Sequence, residues 1–191
     1  MRLPTRPRKL PRSSRPPCRL LGVSTRLSKV IKLVGGWAAW EAAWWAHSRW
    51  ERGVRWKEAR ALADASGKEL LVVGAPMGMY PCGDTTVDIK DPSAFCPIGG
   101  VEASVEDLPF RDKQFGAVYV SHVLEHCCHP DVALEELHRV ADHVVVSYPR
   151  WWRGVTWFSP GHTWLMWPDQ DEWRFLRIRS NCNRSGFLGL G

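Results

Sequence analysis

No two of the six cysteines (Cys18, Cys82, Cys96, Cys127, Cys128, Cys182) stand at C-x-x-C spacing, and they form no even framework. This argues against a zinc ribbon or finger held by thiolates and leaves free thiols in a reducing compartment as the expectation. Acidic residues are missing from positions 1–29, which carry nine Lys/Arg and five Pro. Such a segment buries too little apolar surface to fold, so a disordered basic tail is expected there, with a transit peptide as the alternative. Tryptophan is absent from positions 57–150, although the chain has twelve, in clusters at 37–56 and 151–173. An uncharged run of spanning length is lacking too: the apolar run 30–46 reaches only the minimum and holds Lys32, Glu41 and Gly35-Gly36.

Basic residues flank that run on both sides, which a single span cannot reconcile with the positive-inside rule. An interfacial helix can, with Trp37, Trp40 and Trp44 on one face. A membrane surface met through residues 30–50 is therefore one expectation, beside a span and a helix packed on the domain. Helical periodicity continues to Ser66, where Gly67 reads as the stop, so 30–66 is expected to form an amphipathic or membrane-associated helix.

The formal net charge of +6 is unevenly placed. Residues 1–60 hold fifteen Lys/Arg against three acids, and the rest holds eleven against seventeen. A nucleic-acid-binding core would carry its positive charge on the folded part, so no nucleic-acid partner is expected.

From Lys68 the pattern becomes short apolar runs separated by turn or helical material. "ELLVVG" (69–74), "TTVDI" (85–89), "GAVYVS" (116–121) and "HVVVSYP" (143–149) read as strands, and Pro130 opens a helix. Strands buried on both faces and joined by helices imply an α/β fold with a doubly wound, mostly parallel, Rossmann-like sheet over 68–187. Ligands bind such sheets beyond the carboxyl ends of the strands, here "GAPMGM", Asp88, the Ser104–Asp107 loop and "SHVLEH". A glycine turn followed by a carboxylate at the next strand tip suits a nucleoside-containing cofactor.

The run "LLVVGAPMG…TVDI…VEDLPFRDKQFGAVYVSHVLEHCCHPDVALEELHRVADHVVVSYP" resembles the class I S-adenosylmethionine-dependent methyltransferases of the type 11 group. The resemblance implies S-adenosylmethionine as cofactor, with Gly74, Ala75 and Gly78 in its turn and Asp88 on the ribose hydroxyls. It implies Ser104, Val105 and Glu106 along the adenine, and Ser121 and His122 facing the methyl group. His122 or His162 is then the candidate catalytic base for a small-molecule or lipid-like acceptor in the cytoplasm, with possible membrane association. Four features depart from the family pattern: Val72 where an acid is usual, Pro76 inside the glycine motif, Gly116 where Asp is usual, and a short Gly78-to-Asp88 connection. A non-catalytic binding or scaffold domain at a membrane is the alternative.

"HVLEH" (122–126) also spells the His-x-x-Glu-His of inverted zinc proteases. A hydrolase using His122, Glu125 and His126 is the least favoured reading, because Pro130 leaves little helix to support that spacing. Glu125 and His126 also resemble part of the Glu-x-x-Glu-His magnesium element of small-RNA 2′-O-methyltransferases; His122 in place of the first Glu would favour a transition metal. The ordinary reading assigns no metal and has both residues hydrogen-bonding backbone to fix the loop.

Overall fold

The computed structural model describes residues 21–170 and 172–180. The elements are α1 (Leu21–Ser66), β1 (Leu70–Val73), β2 (Thr85–Asp88), β3 (Gly100–Glu102), β4 (Phe115–Ser121), α2 (Pro130–Val140), β5 (Ala141–Ser147), α3 (Gly154–Phe158), β6 (Trp164–Asp169) and β7 (Glu172–Arg177). The chain divides into two compact units, residues 1–44 and 45–191.

In the first unit α1 begins at Leu21, inside the segment expected to be disordered. Residues 1–20 of that segment lie outside the described residues, and the helical start at Leu21 has a local cause. The prolines of the tail all lie at or before Pro17, and Arg26 and Lys29 are good helix formers. Leu33, Val34, Trp37 and Trp40 are exposed, and the Trp40 and Trp44 rings meet edge-on at 5.7 Å. Among the described residues no helix is long and apolar enough to cross a membrane.

In the second unit α1 ends where the sequence places its stop. Gly67 adopts a φ of 68° and its amide caps the carbonyl of Asp64. Five strands then form one sheet in the order β3-β2-β1-β4-β5, every pair parallel. The chain leaves β1 toward β2 and returns to β4 on the other side of β1. Strand order therefore reverses between β1 and β4, and Gly74 and Ser121-His122 follow their ends.

All of β1 and β4 is buried, and successive residues feed opposite faces. Leu71, Val73, Val118 and Val120 meet Ala133, Leu137 and Val140 of α2. Leu70, Val72, Ala117 and Tyr119 meet Ala59 and Ala63 of α1. Each fully buried Val or Leu contributes about 1.5–3 kcal/mol. Two of the departures have their explanation here. Val72 belongs to the face that α1 covers, and a Cβ at Gly116 would overlap Ser66 Oγ and lie 2.9 Å from Ala63 Cα. β5 opens at Ala141, directly after the last residue of α2.

The link from β1 to β2 (residues 74–84) contains no helix, although parallel neighbours are usually joined by one. Cys82 in this link is disulfide-bonded to Cys96, in the segment leading to β3. Cys128 is disulfide-bonded as well, and buried Cys127 is free. These bonds correct the expectation of free thiols, and such bonds persist in oxidising surroundings. The spacing of fourteen residues gave no sign of the pairing, which the tight link creates. Two further pieces went unread in the sequence: the short edge strand β3 and the antiparallel hairpin β6–β7.

Candidate functional site

The glycine turn and the acidic strand tip come together as the resemblance implies. Gly74 has a φ of 93°, and its amide donates to the carbonyl of Val87 at 2.8 Å. The next amide, Ala75, donates to Asp88 Oδ2 at 2.7 Å, while Lys90 N donates to Oδ1 at 3.2 Å. Asp88 is half-buried and each of its oxygens keeps a further acceptor lone pair. Gly78, at a φ of 73°, has no heavy atom within 4 Å of where a Cβ would stand. Buried Pro76 closes the turn by accepting from Met79 N at 2.8 Å. Arg49 of α1 donates to the Gly78 carbonyl at 3.1 Å, a support for the loop that sequence reading missed.

The adenine-side residues divide. Ser104 Oγ accepts from Glu106 N at 3.2 Å, forming a side-chain turn, and Val105 is buried in the core. The Glu106 carboxylate is turned away to the start of α2. Its Oε1 accepts from Cys128 N at 2.6 Å and from His129 N at 3.0 Å. A carboxylate there complements the positive helix end, so Glu106 serves the fold. Arg139 holds the same loop from the other side by donating to the carbonyls of Leu108 and Phe110.

At the end of β4, Ser121 Oγ is buried without a hydrogen-bond partner. The backbone carbonyl of Ser121 lies 3.4 Å from where a Gly74 Cβ would stand, so this orphaned hydroxyl belongs to a residue bordering the glycine turn. A buried hydroxyl bordering a left-handed glycine turn fits a polar cofactor.

His122 follows with a φ of 55°, unusual for a side chain of its size. Its amide donates to the carbonyl of Ser147, and its Nδ1 stands 3.2 Å from Glu125 Oε1. Residues 124–126 form one 3₁₀ turn, so His122 and His126 do not share the helical face that the protease pattern requires. His162 arrives from just before β6, where Thr163 N donates to the Glu125 carbonyl at 2.8 Å. Its Nε2 lies 4.0 Å from Glu125 Oε1, and His126 Nε2 lies 3.9 Å away. The two histidines singled out separately thus converge on one carboxylate.

Glu125 is 1% exposed, and neither carboxylate oxygen has a hydrogen-bond partner; the approach of His122 Nδ1 is close but poorly aligned. Burial pushes its pKa up, but the three imidazoles outweigh that and hold it at about 2. Burial pushes the His162 imidazole below its ordinary value. The expectation that Glu125 and His126 both bond to backbone is met by the His126 ring, whose Nδ1 lies 2.7 Å from Gly161 O. It is not met by the Glu125 carboxylate. His162 Nδ1 is similarly placed, 2.9 Å from Thr156 O.

The strand order, with the glycine turn and Asp88 at the reversal point, defines a doubly wound α/β domain of the kind that binds ligands at this edge. Residues 83–143, from just before β2 into β5, match the family model described as "Methyltransferase domain". Over those residues the α/β unit is similar to the methyltransferase domains of the type 11 group, in line with the resemblance read from the sequence. A search of curated proteins finds none that matches the chain.

Proposed function

We propose that the protein binds S-adenosylmethionine between the Gly74–Gly78 turn and Asp88 and transfers its methyl group to a small-molecule or lipid-like acceptor. The observation that carries the reading is the 2.7 Å hydrogen bond from Ala75 N to Asp88 Oδ2, which fixes the carboxylate beside the glycine turn. The remaining lone pairs of that carboxylate suit a ribose diol, and the buried Ser121 hydroxyl suits the polar end of the same ligand.

The cofactor, when bound, supplies an electrophilic methyl group on a sulfonium. The chain's own contribution is to hold and desolvate the reactants, which accounts for most of the acceleration in reactions of this kind. Of the two candidate bases, His122 is the accessible one, with 23% of its side chain exposed against 8% for His162. His122 is the better placed to take a proton from a protic acceptor. Exposed Trp151, Trp152 and Trp157 offer aromatic surface for an apolar acceptor. Exposed tryptophans along α1 favour rest on a membrane surface, which flotation with vesicles tests.

Calorimetric titration with S-adenosylmethionine tests the central step. The wild-type protein should give saturable heat at one site, and Asp88→Asn should weaken it by ~10–100-fold, as loss of a charged hydrogen-bond acceptor does. Absence of heat in the folded wild-type protein would favour the non-catalytic reading.

A further inference from the structure

We propose that Glu125, His126 and His162 form a binding site for a divalent transition-metal ion beside the end of β4. The inference rests on these three side chains and their backbone partners, independently of cofactor binding.

The ligand atoms of the three residues lie within 4.8 Å of one another. The backbone decides which atoms face inward. His126 Nδ1 and His162 Nδ1 each meet a carbonyl oxygen, of Gly161 and of Thr156. A carbonyl only accepts, so each Nδ1 carries the hydrogen and donates it. In the neutral ring the lone pair is then on Nε2, the atom that faces Glu125 in both cases. Two imidazole nitrogens donating their opposite N–H to fixed carbonyls is the outer arrangement of histidine metal ligands.

The carboxylate supplies the second, independent observation. Glu125 is buried, its two oxygens have no well-aligned hydrogen-bond partner among the described residues although His122 Nδ1 lies 3.2 Å from Oε1, and the Nε2 atoms of His126 and His162 stand 3.9 and 4.0 Å from that oxygen. Burying an ionised carboxylate without a partner is very costly. A cation between the three groups meets all the requirements together.

Ligands bound at about 2.0–2.2 Å in a tetrahedral site lie about 3.4 Å apart. The observed 3.9 and 4.0 Å separations from Glu125 Oε1 therefore need a contraction of only about half an ångström. Two imidazoles and one carboxylate suit zinc, cobalt or iron(II) better than magnesium. Three protein ligands leave a position for water or an acceptor oxygen, on the same side of the sheet as the methyl-transfer site. His122, with Nδ1 3.2 Å from Glu125 Oε1, borders the site.

Cobalt(II) titration of the metal-stripped full-length protein, followed by visible absorption, tests the site without S-adenosylmethionine. One equivalent should bind with the intense bands of a four- or five-coordinate nitrogen and oxygen environment, and zinc(II) should displace it. Glu125→Gln, which keeps the shape and removes the charge, and His126→Asn should each lower the affinity at least ~10-fold, as changes around histidine–metal sites do. Thermal melting of each stripped variant establishes that it folds; zinc should raise the melting temperature of the wild type and not of Glu125→Gln. Absence of binding, or binding equally tight in the folded Glu125→Gln protein, would overturn the proposal. Failure of the calorimetric titration with S-adenosylmethionine would leave this result unchanged, so the two readings are separable.

Discussion

Thr163 N donates to the backbone carbonyl of Glu125 at 2.8 Å, tying the approach to β6 to the short turn that follows β4. Together with the bonds from Trp164 Nε1 to Cys127 O at 2.9 Å and from His126 Nδ1 to Gly161 O at 2.7 Å, it sets His162 opposite Glu125 although they are far apart in sequence. The β6–β7 hairpin lies outside the five-stranded sheet and completes the cluster at its end. Arg179 reinforces the arrangement by donating to the carbonyls of Ser159 and His162.

Gly116 is a packing position. An added Cβ would lie 2.9 Å from Ala63 Cα and overlap Ser66 Oγ, so Gly116→Ala must push α1 off the sheet or distort β4. Overpacking of this kind costs about 1–3 kcal/mol. Urea unfolding should show that loss, while affinity for S-adenosylmethionine stays close to wild type because Gly116 lies at the opposite end of β4 from the site.

Gly74 combines two constraints. Its φ of 93° disfavours any side chain, and a Cβ would lie 2.7 Å from Val123 Cγ2. Gly74→Ala should therefore lower both stability and cofactor affinity. Adding Val123→Ala removes the steric part alone, so the double variant should recover part of the stability measured by chemical denaturation. If it recovers none, the backbone conformation carries the whole effect.

Asp84 sets a pH response. Burial pushes its carboxyl up, but the amide of Leu70 at 2.7 Å and the guanidinium of Arg60 at 2.6 Å pull it below the ordinary value of 3.8. A carboxyl lowered by folding adds stability above its unfolded pKa and loses it as pH falls through the folded one. The stability difference between wild type and Asp84→Asn should be constant above about pH 5 and shrink below about pH 4. Unfolding curves recorded across that range check it.

The Cys82–Cys96 bond closes a link that has no helix to hold it. Intact-mass and peptide mapping under non-reducing conditions should find the pair joined. Removing it through Cys82→Ser and Cys96→Ser should lower stability by about 3 kcal/mol, the loop-closure value for a loop of this size.

The parallel sheet was legible because β1 and β4 are buried on both faces and spell unbroken apolar runs. Pro130 and Gly67 were legible because each acts through its own backbone. The strand β3 was missed because "GVE" is short and at the sheet edge, with no face to pattern. The hairpin was hidden because Trp164, Trp167 and Trp173 spread around two strands that are only partly buried. At the site, the nearness of Gly74 and Asp88 was readable because each stands at the end of one of two neighbouring strands. The convergence of His122 and His162 on Glu125 was not, since it depends on Thr163 meeting a carbonyl far upstream. The only sequence-level trace was a histidine in "SPGHTW" near a turn. For Glu106 the sequence gives no sign of the amides of Cys128 and His129, which only the fold brings to its carboxylate.

The central claim is that Asp88 and the Gly74–Gly78 turn hold an adenosyl group. A crystal structure of the full chain soaked with S-adenosylhomocysteine tests it most directly. The account predicts density beyond the ends of β1 and β4, with the two ribose hydroxyls on the Asp88 carboxylate and Ala75 N still within hydrogen-bonding distance of Oδ2. Density elsewhere, or an empty turn at saturating ligand with Asp88 unchanged, would contradict it.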